Sequence, residues 1–352
     1  MTATIALIGA GAMGGAIGAR LVVTGTRLAV FDLDPAKVAP LVALGATAAA
    51  SAAEAARHAT AVILSLNAPH IVRAAVFGPA GVAEGAAPGT LIIDMSSINP
   101  EATRAMAADA AAMGLAWVDS PLSGGIPKAA TGELTLMQGG APAAVAAAQD
   151  ILAKVASNQT RMGGPGAGQT TKLINQVLCG LGFLAVAEAT ALAEAAGVDV
   201  DMIPQALRGG RADSAILQEY MPRFATRDYR RTGRIDNMVK DLNGAADLAR
   251  LTHTPMPLTA LCAEIHRMLT AAGLGGEDQA ALMEFFKGPQ KERFECSPAM
   301  RCWKVWCIHA RPKPSAPQCW LKFCRSGAAF PARLPSMSPF PTTATKARPS
   351  FR

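Results

Sequence analysis

The sequence predicts a parallel α/β sheet domain followed by an all-α domain built on one long helix. Three observations predict it. Short β-rich runs alternate with Ala-rich segments of roughly ten to fifteen residues from Thr4 to about Arg161. A breaker cluster, GGPGAG at 163–168, then interrupts the pattern. Beyond it the apolar periodicity is helical and no strand-like run recurs.

The predicted strands are IALIG (5–9), LAVFD (28–32), AVILSL (61–66), TLIIDM (90–95), LAWVDS (115–120) and ELTLMQGG (133–140). Their hydrophobicity is continuous rather than alternating, as in strands covered on both faces by helices. After the breaker, residues 169–196 run as one helix of about 28 residues, roughly 42 Å long. Gly197 stands where a helix-ending glycine belongs. So long and apolar a helix reads as the central post of the second domain rather than a surface helix. Shorter helices from about 201, 213, 236, 257 and 278 are expected to pack round it, the last ending at Phe286. The expected domains are 1–163, 164–288 and a tail, 289–352.

The chain has 352 residues, of which 51% are hydrophobic and 17% charged, which excludes a disordered chain of the low-hydrophobicity kind. Seven cysteines are too few for a disulfide scaffold. Cys179 and Cys262 lie in apolar helical patterns and read as small core residues. The net charge of +7 would point to an anionic polymer, but it is concentrated at one end. Residues 289–352 hold 12 of the 33 Lys and Arg and 2 of the 26 Asp and Glu, leaving residues 1–288 mildly acidic. Residues 1–19 are uncharged yet lack a basic n-region and carry five glycines, a poor signal peptide or membrane span. Residues 173–187 are uncharged too, but short and interrupted by Asn175 and Gln176. The expectation is a cytoplasmic protein without a membrane partner.

Gly9-Ala10-Gly11-Ala12-Met13-Gly14 is a G-x-G-x-x-G directly after a strand and before a helix. In that context Gly9 makes the tight turn, Gly11 admits a pyrophosphate to the backbone amides, and Gly14 lets helix and strand pack closely. Ala12 and Met13 open the helix that follows. Asp32 ends the second strand 18 residues after Gly14. A carboxylate there binds ribose hydroxyls; its alternative role is a helix cap or turn residue. Asp32 repels a 2′-phosphate, Asp34 adds a second negative charge, and no Arg or Lys follows until Lys37. The expected fold class is therefore an α/β Rossmann-type domain, and the expected cofactor is NAD, with NADP less favoured. Residues 119–128, DSPLSGGIPK, form a Gly/Ser/Pro turn after a strand, whose successive amides suit a carboxylate; an ordinary βα loop is the alternative. The five His residues form no ligand spacing with Cys, Asp or Glu, so no metal is expected.

GAGAMG (9–14), DMSSINP (94–100), DSPLSGG (119–125), GAGQTTKLINQ (166–176) and MVKDL (238–242) occur in the order found in the β-hydroxyacid dehydrogenase family, which residues 4 to about 287 resemble. Within it, GGIPKA (124–129), KLINQ (172–176), LRGG (207–210) and MPLTA (256–260) are most similar to the branch that reduces tartronate semialdehyde (2-hydroxy-3-oxopropanoate). The resemblance implies that Lys172 is the catalytic lysine, which the chemistry supports independently. An aldehyde oxygen that gains charge needs a proton and a positive neighbour, and one ammonium supplies both. Asn175 and Gln176 share a helix face with Lys172 and can orient the amine or hold a substrate hydroxyl. A lysine at a helix start is otherwise commonly solvent-exposed, but Leu173, Ile174, Val177 and Leu178 make that uncomfortable here.

The same resemblance implies that Ser123, Gly124 and Gly125 bind the substrate carboxylate, that Ser97 lies near the nicotinamide, and that Lys240 lies against cofactor or substrate. A surface lysine paired with an acid such as Asp241 is the alternative for Lys240. Leu66 and Asn67 follow the third strand, where the family has a Pro-containing loop over the cofactor; this chain has Ser65-Leu66-Asn67-Ala68-Pro69. No role follows for Lys128 or Arg208. The implied activity is NAD-linked reduction of tartronate semialdehyde to D-glycerate, a reaction of glyoxylate metabolism. Oxidation of 3-hydroxyisobutyrate or another 3-hydroxyacid is the alternative within the family. The resemblance also implies a homo-oligomer through the helical domain.

Residues 289–352 depart from the family. They hold five Cys, three Trp and ten Pro, and lack sustained periodicity. The expectation is a disordered C-terminal tail that arose by a reading-frame shift near residues 286–289 and contributes no catalysis. A non-catalytic dinucleotide-binding protein with a basic nucleic-acid-binding tail is the rival of another class. Clustered Cys and scattered Pro are odd companions for a nucleic-acid arm, and keeping Lys172, Asn175 and Gln176 together argues for catalysis.

Overall fold

A computed structural model describes residues 4–286. The expectations about the tail lie outside the described residues. Nine strands form one sheet: β1 (Thr4–Ile8), β2 (Arg27–Phe31), β3 (Thr47–Ala48), β4 (Ala59–Leu64), β5 (Leu91–Asp94), β6 (Ala116–Asp119), β7 (Leu122–Ser123), β8 (Leu134–Gly140) and β9 (Ala156–Gly163). Their order is β3-β2-β1-β4-β5-β6-β8-β7, with β9 also paired to β8. The first six are parallel, as a doubly wound sheet requires.

Eight helices interleave with the strands: α1 (Ala12–Val23), α2 (Pro35–Ala43), α3 (Ala52–Ala56), α4 (Pro69–Phe77), α5 (Val82–Gly85), α6 (Pro100–Ala112), α7 (Gly125–Thr131) and α8 (Pro142–Leu152). Burial on both faces explains the continuous hydrophobic runs. In β1, Ile5 and Leu7 pack with Ile17, Leu21 and Leu41 of α1 and α2. Ala6 and Ile8 point the other way, into a layer with Val72, Val76 and Met106 of α4 and α6. Each such fully buried Leu or Ile contributes about 1.5–3 kcal/mol relative to exposure.

The sheet is not wholly parallel. β8 runs antiparallel to both β6 and β7. β9 was not expected, because its sequence ASNQTRMG is polar; it is an edge strand with mostly exposed residues, held by the ladder to β8. The two-residue β3 was likewise too short for a hydrophobic signature.

Six helices follow: α9 (Ala167–Ala196), α10 (Ile203–Leu207), α11 (Ala215–Thr226), α12 (Ile235–Thr252), α13 (Pro257–Leu269) and α14 (Met283–Phe286). α9 extends over 30 residues and ends at Gly197 in the left-handed conformation, as expected. Val186, Ala187 and Ala193 of α9 pack with Tyr220, Phe224 and Leu282. It is not buried all round: Ile174, Leu178 and Leu192 are 54%, 67% and 70% exposed, because α11–α14 cover only part of its circumference. The segment expected as a last ordinary helix is a 3-10 turn, Gln279–Leu282, followed by α14. Asp278 starts it, its buried carboxylate accepting from the Ala280, Thr232 and Gly233 amides and facing Arg223 at 3.1 Å.

Candidate active site

The glycine loop joins β1 to α1. Gly9 sits at φ +94°, and a Cβ there would meet Ser65 O at 2.5 Å. A Cβ on Gly14 would collide with Gly9 O, so the helix lies against the strand end as the motif predicts. A Cβ on Gly11 would meet nothing within 4 Å, so the loop has open space at the position where a pyrophosphate is expected. Gly11 caps α1, and Ala12 and Met13 are its first residues. This open helix start fits a dinucleotide.

Asp32 lies beside that loop. Its Oδ2 accepts from Ala10 N at 2.8 Å and its Oδ1 from Asp34 N at 2.9 Å. Asp34, not Asp32, caps α2, so the cap alternative falls to the neighbour. Lys37 Nζ stands 3.8 Å from Asp32 and 3.6 Å from Asp34. The carboxylate keeps lone pairs for ribose hydroxyls. Leu66 packs over Gly9, and its amide donates to Ser96 Oγ at 3.0 Å, joining the β4 and β5 loops.

A cavity of about 330 Å³ opens between these loops and the helices, lined among others by Asn67, Ser97, Gln169, Lys172, Lys240 and Asp241. Four of the expected residues therefore meet: Asn67, Ser97, Lys172 and Lys240. The side chain of Lys172 is half-buried and its Nζ donates to Gln176 Oε1 at 2.7 Å. Gln176 Nε2 donates in turn to Asp241 Oδ2 at 2.6 Å. An ionised carboxylate only accepts, so Asp241 fixes which end of the Gln176 amide faces Lys172. Asn175 Nδ2 donates to the same Gln176 Oε1 at 2.9 Å and to Cys179 Sγ at 3.5 Å. Burial pulls the Lys172 ammonium below the usual lysine range, with Asp241 opposing. Lys240 Nζ donates to Ser97 O at 3.1 Å and pairs with Asp241 at 3.3 Å, so the Asp241 pairing weighed as an alternative is real, within the cavity wall.

Ser123, Gly124 and Gly125 do not line this cavity. Ser123 pairs with Thr135 across β7 and β8. Gly124 and Gly125 take φ +124° and +70°, and the pair starts α7.

Sequence reasoning named Asp241 only as an alternative partner for Lys240, and it missed the buried Asp94, Asp119 and Gln169 that support the segments around the cavity. Asp94 and Asp119 end β5 and β6 as register partners, both fully buried. Burial raises both carboxyls, Asp94 to about 7, while amides of Gly166 and Gln169 oppose the rise at Asp119. Their positions inside the DMSS and DSPL segments were a signal, but their partners lie far along the chain. Among the described residues, no cluster of three or more His, Cys, Asp or Glu side chains suits a metal ion.

Residues 4–164 match the family model described as the NAD binding domain of 6-phosphogluconate dehydrogenase. Residues 166–286 match the one described as NAD-binding of NADP-dependent 3-hydroxyisobutyrate dehydrogenase. The chain is 34% identical over 289 residues to L-threonate dehydrogenase of Cupriavidus necator, covering 82% of this chain and 97% of that one. It is 37% identical over 283 residues to 3-sulfolactaldehyde reductase of Escherichia coli, covering 80% and 95%. The crystal structure of a 3-hydroxyisobutyrate dehydrogenase from Salmonella typhimurium superposes with a TM-score of 0.73 at 34% identity, covering 80% of this chain and 99% of that one. The cofactor of this chain is NAD. With a Rossmann sheet, an open glycine loop and relatives matched over nearly their whole length, this chain is an NAD-binding oxidoreductase that belongs to the β-hydroxyacid dehydrogenase family.

Proposed function

We propose that this protein reduces tartronate semialdehyde to D-glycerate, with Lys172 as the acid that protonates the new hydroxyl. The observation that carries the reading is the half-buried Lys172 amine, aimed by Gln176 and Asp241 at the wall of a 330 Å³ cavity shared with Asn67, Ser97 and Lys240. Bound NADH supplies the hydride. Lys172 donates its proton to the carbonyl oxygen as negative charge develops there, and its lowered basicity makes it the stronger acid. In the reverse direction the neutral amine takes the hydroxyl proton. Gln176 keeps the amine in place, and Lys240 adds a second positive charge beside Ser97. The family resemblance assigns the substrate carboxylate to Ser123 and the amides of Gly124 and Gly125, which stand outside the lining of this cavity, and a substrate hydroxyl to Asn175. Gly9, Gly11, Ala12, Met13 and Gly14 would hold the pyrophosphate, Asp32 would hold the ribose and disfavour NADP, Leu66 and Asn67 would contact the cofactor, and Ser97 would stand near the nicotinamide.

The enzyme works in the cytoplasm as a homo-oligomer, and the exposed Ile174, Leu178 and Leu192 of α9 support an assembly through the helical domain. The named relatives support a second reading within the same chemistry, oxidation of another 3-hydroxyacid such as 3-hydroxyisobutyrate or a four-carbon sugar acid. NADH oxidation with tartronate, methylmalonate and succinate semialdehydes, and NAD reduction with L-threonate, separates the two. Fastest turnover of tartronate semialdehyde supports the first reading; threonate or methylmalonate semialdehyde in first place replaces it.

A further inference from the structure

We infer that Asp119 and Gln169 are positioning residues that pin the start of α9, and with it Lys172, to the sheet, Asp119 from the end of β6 and Gln169 through the segment 96–98 after β5. The inference rests on Lys172 being the acid and base of the proposed reaction. Asp119 ends β6, and its two carboxylate oxygens accept from the amides that open α9: Oδ1 from Gly166 N at 2.8 Å and Oδ2 from Gln169 N at 2.9 Å. Those amides lack partners within the helix, and a negative charge at a helix start is favourable. The surroundings of Asp119 are stripped of side chains. Gly139, its register partner on β8, would bring a Cβ to 2.5 Å from Asp119 Oδ1. Gly168 would bring one to 2.8 Å from Oδ2. The helix start can therefore sit directly on the carboxylate.

Gln169, 1% exposed, makes the second attachment. Its Oε1 accepts from Ile98 N at 3.1 Å and its Nε2 donates to Ser96 O at 2.7 Å, so one amide straddles Ser97. Ser97 O is the acceptor for Lys240, and Lys172 follows Gln169 by three residues, on the same helix face. Gln176 orients the lysine but rides on the same helix and ties it to α12. Registration of Lys172 against the sheet-end loops thus falls to Asp119 and Gln169. A shift of about 1 Å at a reacting group costs on the order of 100-fold in rate, which is the scale such anchors protect.

The test reads the environment of Lys172 directly, without a substrate. Gln169→Met keeps volume and loses both side-chain bonds; Asp119→Asn loses one acceptor. Each variant is labelled with acetic anhydride across a pH series, and the Lys172 peptide is followed by mass spectrometry, with the exposed Lys37 as internal reference. NADH binding, followed by fluorescence, reports folding. The expected result is NADH affinity within about threefold of wild type and a Lys172 labelling midpoint raised by about half a pH unit or more, as water reaches the loosened amine. Unchanged Lys172 midpoints in both variants, or loss of NADH binding in both, overturns the inference. Lys172→Ala turnover is a separate readout: if that variant stays active, the role of Lys172 fails while the labelling result still stands.

Discussion

Replacing Asp94 by Asn should make the protein more stable at pH 8 than at pH 5 relative to wild type. Asp94 is fully buried at the end of β5; its Oδ1 accepts from Ser96 N at 3.0 Å, and its Oδ2 has no hydrogen-bond partner among the described residues. Burial raises its carboxyl from 3.8 to about 7, with the Ser96 bonds opposing and the nearby Asp119 charge adding to the rise. Between those values the folded state holds a proton that the unfolded state has released, so stability falls as pH rises through this window. Between pH 5 and pH 8 about two pH units of this window are crossed, so the expected change is on the order of 2–3 kcal/mol. Asn keeps the acceptor for Ser96 N and carries no charge to desolvate. The assay is urea denaturation of both proteins at pH 5 and pH 8, followed by circular dichroism. Asp119, also raised by burial, tilts both curves, and because its charge couples to Asp94 the difference between the proteins reports Asp94 together with that coupling. A difference that does not change between pH 5 and pH 8 would refute the reasoning.

Asp32→Ser removes the proposed ribose acceptor and one of the two carboxylates facing Lys37, leaving Asp34 as its neighbour and lessening the repulsion of a 2′-phosphate. NADH affinity should fall by roughly 1.5–3 kcal/mol while NADPH improves, checked by steady-state kinetics with both cofactors; better NADPH use by the wild type contradicts the assignment. The rate of hydroxyacid oxidation should rise with pH through an ionisation below the ordinary lysine value of 10.5, because the neutral Lys172 amine is the base. A pH–rate profile showing no such ionisation counts against it. Gly139→Ala places a methyl against the Asp119 carboxylate and should destabilise by about 1–3 kcal/mol, measured by thermal unfolding.

How much of this was legible in the sequence differed by kind of feature. The parallel strands announced themselves because both faces are buried, as Ile63, Ile92 and Ile93 illustrate. β9 did not, because its stability comes from ladder bonds to β8 rather than from its polar side chains. The glycine loop was readable from local spacing, whereas Lys172 was singled out by the family resemblance and by the chemistry a carbonyl reduction needs. Asp119 and Gln169 were not, since the partners of Asp119 lie 47 and 50 residues away and those of Gln169 lie 71 and 73 residues away, and only folding brings them together. The long helix was found, but which face stays open depends on how many helices reach it, and local periodicity carries no such information.

In the proposed reaction the Lys172 amine handles the proton of a semialdehyde reduction. NADH oxidation with tartronate semialdehyde, measured for wild type and Lys172→Ala side by side at saturating NADH, tests it most directly. The wild type should turn over this substrate and the variant should lose about 10²–10⁴-fold in kcat, with NADH binding retained because the glycine loop and Asp32 are untouched. A variant that keeps more than about a tenth of wild-type turnover, well short of that loss, would contradict it.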